Sequence, residues 1–168
     1  MESVIRPAEV DDLQAMVRLF RDCWNISYAD LLPLDVREAM TEEAATELLK
    51  GAVVPHADRE TLLIEVSGEV AGMARIGIDP DEAQRGHLFS LYISPRFAGQ
   101  GLGKKLLTEA LRRIKARGFT EISLWVFKEN STAQSLYEKL GFAPNGRERV
   151  DVRWKIPEIQ LISSQKNS

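Results

Sequence analysis

Residues 91–107, LYISPRFAGQGLGKKLL, decide how this chain folds. Leu91-Tyr92-Ile93 closes an apolar strand, Pro95 marks a turn, and Gly99, Gly101 and Gly103 lead into a basic amphipathic helix opening at Lys104-Lys105. A strand feeding a helix through glycines makes an anion site. The first N–H groups of the helix have no intrahelical acceptor, and backbone without Cβ lets a ligand come close. Spacing tests two familiar phosphate loops. G-x-x-x-x-G-K-[ST] fails because Ala98 stands five residues before Gly103 and Lys105 stands where Ser or Thr is required. G-x-G-x-x-G fails because its last glycine falls on Lys104, or on Leu106 when counted from Gly101. On this stretch alone, an ordinary glycine-rich turn without a ligand remains the alternative.

Working outward, Val4 to Arg6 is predicted as a short strand stopped by Pro7, and Asp11 and Asp12 favour a helix start. Leu13, Met16, Val17, Phe20 and Trp24 recur at steps of three and four, the period of an amphipathic helix. A second helix is expected from Leu34 to Lys50. Strands follow at 61–66 and 70–78 across a tight turn at Ser67-Gly68-Glu69, then a polar loop at 79–85 and the strand 87–93. Downstream, a helix from Leu102 to Arg117, a strand from Glu121 to Phe127 and a helix from Ala133 to Leu140 come in turn. Two short strands around Gly146 finish the domain, the second spanning Arg149 to Ile156. Serial strands followed by strand-helix-strand-helix indicate an α+β fold with a mixed sheet. The expected organisation is one domain over residues 1–162 and a disordered tail at 163–168.

The chain of 168 residues is 44% hydrophobic, enough for one sizeable core. No apolar run reaches the length of a membrane span, and the N-terminus lacks a secretory pattern. A single cysteine, Cys23, excludes an internal disulfide and fits a cytoplasmic protein; with only two histidines it argues against a zinc cluster. The net charge of −3 divides unevenly. Residues 1–84 hold 18 acidic and 7 basic side chains (−11), residues 85–168 hold 7 and 15 (+8). Such a division suits a polyanionic cofactor and a cationic acceptor, or is surface bias alone. Nucleic acid is disfavoured because the basic helix carries no aromatic stacking residues.

Residues 130–142, NSTAQSLYEKLGF, are the more specific stretch. By local chemistry, Asn130 caps a helix and Tyr137 lies seven residues on, near the same face. This stretch resembles N-x-x-[AS]-x-x-[LF]-Y-x-[KR]-x-G-F of the GNAT N-acetyltransferase superfamily. Pro95 through Lys104 resembles that superfamily's coenzyme A loop, with one departure: Ala98 replaces the usual Gln or Arg before Gly99. WNISYADLLP, residues 24–33, is similar to the acceptor-roofing segment of a bacterial subgroup.

The resemblance implies a three-layer α/β/α, mostly antiparallel mixed sheet, splayed between its fourth and fifth strands, with helices on both faces. It implies acetyl-coenzyme A as cosubstrate, no metal, and a small-molecule or peptide amine as acceptor; a homodimer is compatible with it. Leu91, Tyr92 and Ile93 would pair with the pantetheine amides. The backbone of Gly99, Gln100, Gly101, Leu102, Gly103 and Lys104 would hold the pyrophosphate, and Asn130 the pantetheine arm. The Tyr137 hydroxyl would protonate the departing thiolate. Trp24 and Tyr28 are acceptor contacts or core aromatics. The general base is the open position. Trp125 stands where one branch carries Glu, and counting back from Ile93, where histone-type members carry Glu, lands on His87; Glu65 and Ser90 are further options. The alternatives are a non-catalytic acyl-coenzyme A sensor or interaction module, and a nucleotide-binding protein.

Overall fold

A computed structural model describes residues 2–164. Its centre is a seven-stranded sheet of β1 (Ser3–Pro7), β2 (Arg59–Val66), β3 (Glu69–Asp79), β4 (Glu82–Ile93), β5 (Glu121–Phe127), β6 (Ala143–Val150) and β7 (Pro157–Ser164), in the order β1-β2-β3-β4-β5-β7-β6. Every neighbouring pair is antiparallel except β4 with β5. The helices are α1 (Leu13–Asp22), α2 (Leu34–Ala39), α3 (Glu42–Leu49), α4 (Leu102–Ala116) and α5 (Ser131–Lys139).

Alternation along the strands gives the sheet two apolar faces, and each is covered. On one face, Leu62, Ile64, Ala74, Ile76, Leu88, Leu124 and Val126 meet Leu106, Leu107, Ala110 and Ile114 of α4 and Tyr137 of α5. On the other, Leu63 and Met73 meet Met16, Phe20 and Trp24, with Val36 of α2 and Leu49 of α3 behind them. This is the three-layer, mixed, mostly antiparallel architecture that the residues and the resemblance imply.

The differences are local and have causes. The single helix expected from Leu34 to Lys50 is two. Met40 leaves the helical region, and Thr41 restarts the chain by accepting the Ala44 N–H on its side chain at 3.1 Å. The expected polar loop at 79–85 is mostly strand: the β3–β4 hairpin turns at Pro80-Asp81, and Arg85 reaches across to Asp79 and Glu121. The last strand lies at 157–164, not 149–156. Asp151 accepts the Arg153 N–H on its side chain and the Trp154 and Lys155 N–H on its carbonyl, and Lys155 takes φ +63°, so residues 151–156 form a turn. Ser163 and Ser164, assigned to the tail, pair with Ile122 and Glu121 in β7; residues 165–168 of that tail lie outside the described residues. No helix among the described residues is long and apolar enough to cross a membrane.

Candidate active site

The site is set by where β4 and β5 part. They pair in parallel only at Gly86 with Ile122, His87 with Ser123, and Leu88 with Leu124. Beyond those rungs β4 continues to Ile93 against β3, and β5 continues to Phe127 against β7, so a slot opens through the sheet. A cleft of about 820 Å³ runs through it, from Gly103, Asn130 and Tyr137 on the α4–α5 side to Tyr28, Arg75 and Glu158 on the other.

Backbone directions in the slot follow from one bond. Ser94 N–H donates to Ala71 C=O at 2.8 Å, so antiparallel alternation turns Ser94 and Tyr92 toward β3. The N–H and C=O groups of Leu91 and Ile93 therefore face the slot. Consistently, the Cys23 thiol donates to Ile93 C=O from outside β3, at 3.2 Å. Of the three strand residues expected to offer backbone, Leu91 and Ile93 do; Tyr92 instead offers its half-buried ring to the far side of the cleft. Burial pushes the Cys23 thiol up to about 12, so it carries no thiolate at neutral pH.

The glycine loop is built as an N–H nest. Gly99 and Gly101 take φ of +77° and +76°, which side chains with a Cβ avoid. Lys105 N–H already bonds Gly101 C=O, while the N–H groups of Gly99 to Lys104 have no acceptor among the described residues. Gly103 lines the large cleft; Gly101 and Lys104 line a smaller concavity beside it with Ile5 and Thr108. Leu102 contributes backbone only, its side chain being in the core. The Gln100 side chain is exposed and bonded to nothing among the described residues.

Across the slot, Asn130 Oδ1 caps α5 by accepting the Ala133 N–H at 3.1 Å, leaving its amide NH2 for the cleft. Tyr137, on the same helix, is buried with its ring edge-on to Phe142 at 6.0 Å. Burial drives its phenol well above the ordinary value, so it is a protonated donor at any physiological pH. Trp24 and Tyr28 flank the other mouth. A wider turn over Cys23–Ser27, in which Tyr28 N–H bonds Cys23 C=O at 2.9 Å, swings both rings inward. Trp24 is 1% exposed, stacked on Phe20 and edge-on to Trp154, so it is chiefly a core residue. Tyr28 is half-buried against Phe127 and Tyr92.

His87, the expected base, lines the cleft but is buried within a hydrogen-bonded network. It sits on the last paired rungs, 5% exposed, with Nδ1 2.7 Å from Ser123 Oγ. Ser123 also bonds Asp79, which Arg85 holds at 2.8 Å. Burial alone would raise Asp79; the Ser123 hydroxyl, the Asp81 N–H and Arg85 outweigh it and keep the carboxylate ionised. Ser123 has one proton, and an ionised Asp79 takes it, so His87 donates from Nδ1. Burial holds it at about 4, the nearby Asp79 charge offsetting only part. Of the other options, Glu65 is engaged by Arg6 away from the cleft, whereas Ser90 lines it.

Glu158 on β7 is the residue that sequence reasoning missed. It lies opposite Phe127, lines the cleft and is 6% exposed. Burial raises its carboxyl, against the opposing pull of Arg149, whose Nε lies 3.1 Å away. The signal in the sequence was an acidic residue in the alternating run 157–164, hidden because that run was not read as a strand.

Folding pairs part of the two charged halves with one another. The acidic N-terminal half is matched to the basic half across the structure: Glu60 with Arg113 and Arg117, Glu69 with Arg96, Asp79 with Arg85, Asp35 with Lys155. Among the described residues no three His, Cys, Asp or Glu side chains are grouped to hold a metal ion.

The sequence profile of the acetyltransferase (GNAT) family matches residues 13–142. A spermidine N(1)-acetyltransferase of Thermoplasma acidophilum is 29% identical over 146 residues, covering 84% of this chain and 89% of that protein. The crystal structure of the PaiA N-acetyltransferase from Thermoplasma acidophilum in complex with coenzyme A superposes with a TM-score of 0.82 at 25% identity, covering 98% of this chain and 99% of that one. The ribosomal-protein-S18-alanine N-acetyltransferase from Escherichia coli shares the fold at a TM-score of 0.72 and 19% identity, over 99% and 96% of the two chains.

Proposed function

The chain belongs to the acetyltransferase (GNAT) family, and from that premise we propose that it transfers the acetyl group of acetyl-coenzyme A to an amine by direct attack in a ternary complex. The observation that carries the reading is the slot between β4 and β5, whose pairing ends at Leu88 and Leu124 while both strands run on. It matches the cosubstrate in kind. The unpaired N–H and C=O of Leu91 and the N–H of Ile93 suit amides of an extended arm, and free N–H groups from Gly99 to Lys104 suit a pyrophosphate. The departure at Ala98 leaves those backbone donors in place.

Acetyl-coenzyme A supplies an acyl group activated as a thioester. The protein's residues do the rest. An N–H of Leu91 or Ile93 holds the acetyl oxygen and stabilises charge that grows there as the amine attacks. Glu158, ionised but with raised basicity, takes the proton from the incoming ammonium. Tyr137 gives its phenolic proton to the departing thiolate. Cys23, held protonated, forms no acyl-enzyme. We propose a cytoplasmic enzyme, because the cosubstrate is made in that compartment and a lone cysteine stays reduced there.

Calorimetry with acetyl-coenzyme A, ATP and NAD, followed by thiol release across a panel of amines, tests the reading. Micromolar binding of acetyl-coenzyme A alone, and amine-dependent release of coenzyme A, are expected. Absence of acetyl-coenzyme A binding overturns it; binding without thiol release from any amine makes the domain a sensor.

A further inference from the structure

The acceptor side of the cleft is basic, and two of its cations have no anionic partner among the described residues. Four arginines line it, Arg59, Arg75, Arg149 and Arg153, against two carboxylates, Asp81 and Glu158. Arg149 is bonded to Glu158 and Arg153 to Asp151, so those two are engaged. Arg75 and Arg59 form no ion pair among the described residues. Arg75 projects from β3 opposite Ser90, and a Cβ at Gly51 would lie 3.9 Å from its Nη2. It is half-buried, and its Nε is sealed from water without an acceptor. Arg37 is the other arginine with such an Nε among the described residues, but it does not line the cleft. Burial, then the charge of Arg59, bears against the Arg75 cation. Arg59 itself lies over the Phe89 ring at 4.2 Å, which fixes its plane at the cleft wall.

A half-buried guanidinium with no anionic partner and a sealed, unsatisfied Nε is costly, and its planar fork of donors is complementary to an oxyanion. We propose that the amine acceptor carries an anionic group, a carboxylate or a phosphate, which docks between Arg75 and Arg59 while its amino group enters the slot beside Glu158. This rests on the acetyl-transfer reading and narrows its substrate class to amphoteric amines. It runs against a polyamine: spermidine would bring three positive charges to a wall that already holds two uncompensated ones.

The test compares matched acceptors that differ in the anion alone: amino acids against their amides, and phosphoethanolamine against ethanolamine, with spermidine beside them. Thiol release is read for the wild type, Arg75→Gln and the exposed-site variant Arg59→Gln. At least one anionic amine is expected to exceed its neutral partner ~100-fold in kcat/KM. Each substitution is expected to raise KM for it at least ~10-fold, leaving KM for acetyl-coenzyme A unchanged. Calorimetric titration of the same amines onto the coenzyme A-bound protein gives a readout that needs no turnover. Anion-dependent binding that Arg75→Gln abolishes sustains the proposal even if no thiol is released, an outcome that would sink acetyl transfer alone. Preference for spermidine or for the amides, or binding indifferent to both substitutions, overturns the proposal while acetyl transfer stands.

Discussion

Lowering the pH below 6.5 should destabilise this protein through His87. The imidazole is 5% exposed, bonded through Nδ1 to Ser123, and held at about 4 by burial. Its folded value lies below the unfolded value of about 6.5, so the fold prefers the neutral ring and the unfolded chain binds the proton first. The stabilising contribution is therefore complete above pH 6.5 and is lost as pH falls toward 4. The full shift corresponds to roughly 3 kcal/mol, most of which is lost between pH 7.5 and 4.5. That is a large share of a typical stability of about 5–15 kcal/mol. Asp79, held below its ordinary value, loses its contribution only at still lower pH; Glu158, held above its own, acts with the opposite sign. Urea denaturation of the wild type and of His87→Gln at both pH values isolates the histidine, because the other groups cancel in the difference. The wild type should lose roughly 2–3 kcal/mol more than the variant. Because the chain has two histidines, comparison with the variant also assigns the His87 ring resonance for a direct NMR titration. A ring titrating between pH 6 and 7, or a stability difference flat in pH, refutes the buried-neutral account and returns His87 to candidacy as the base.

Three further outcomes concern turnover. Tyr137→Phe removes a hydroxyl with no hydrogen-bond partner among the described residues, so stability should hold while kcat falls ~10²- to 10⁴-fold with acetyl-coenzyme A affinity kept; unchanged kcat removes Tyr137 as the acid. Glu158→Gln should lower kcat/KM by ~10²- to 10³-fold and abolish an acidic limb lying above the ordinary carboxylate range, since burial raises that group; a pH–rate profile identical to wild type rules Glu158 out. Gly101→Ala puts a Cβ into open space, where nothing lies within 4 Å, but forces alanine to φ +76°; about 1 kcal/mol of stability and a ~10-fold rise in KM for acetyl-coenzyme A are expected, and an unmoved KM argues against pyrophosphate at that loop.

The sequence discloses the α4–α5 side of the site because its chemistry is local. Gly99, Gly101 and Asn130 act through neighbouring backbone, and Tyr137 lies two turns along the helix that Asn130 caps. The acceptor side is assembled from residues far apart, and there sequence reasoning falters. Val150, Val152, Trp154 and Ile156 alternate like a strand, yet Val152 is 86% exposed in a turn fixed by Asp151. The true strand, 157–164, turns Glu158, Gln160 and Ser163 inward, so polarity hides its period. Arg75 had a visible signal, being the lone charged residue between Val70 and Ile78. The count of −11 against +8 overstates the division, because residues more than fifty positions apart, such as Glu60 and Arg113, neutralise one another across the fold.

The two sides of the site are joined by one irregularity. β3 and β4 slip between Arg75 and Ile76, so that Leu88 faces Ile76, Ser90 faces Arg75, and Phe89 is the extra residue. A strand without it would alternate from His87 onward and send Tyr92 toward α4, with Leu91 toward α1. The bulge reverses that assignment. His87, Ser90 and Tyr92 share the acceptor face, while Leu91 and Ile93 pack their side chains with the α4–α5 cluster. It also lies immediately beyond Leu88, the last residue of β4 that pairs with β5. Bending β4 at Phe89 therefore does two things: it parts the strands, and it turns the remaining four residues so that one edge of β4 faces the slot while its side chains divide between the acceptor face and the α4–α5 cluster.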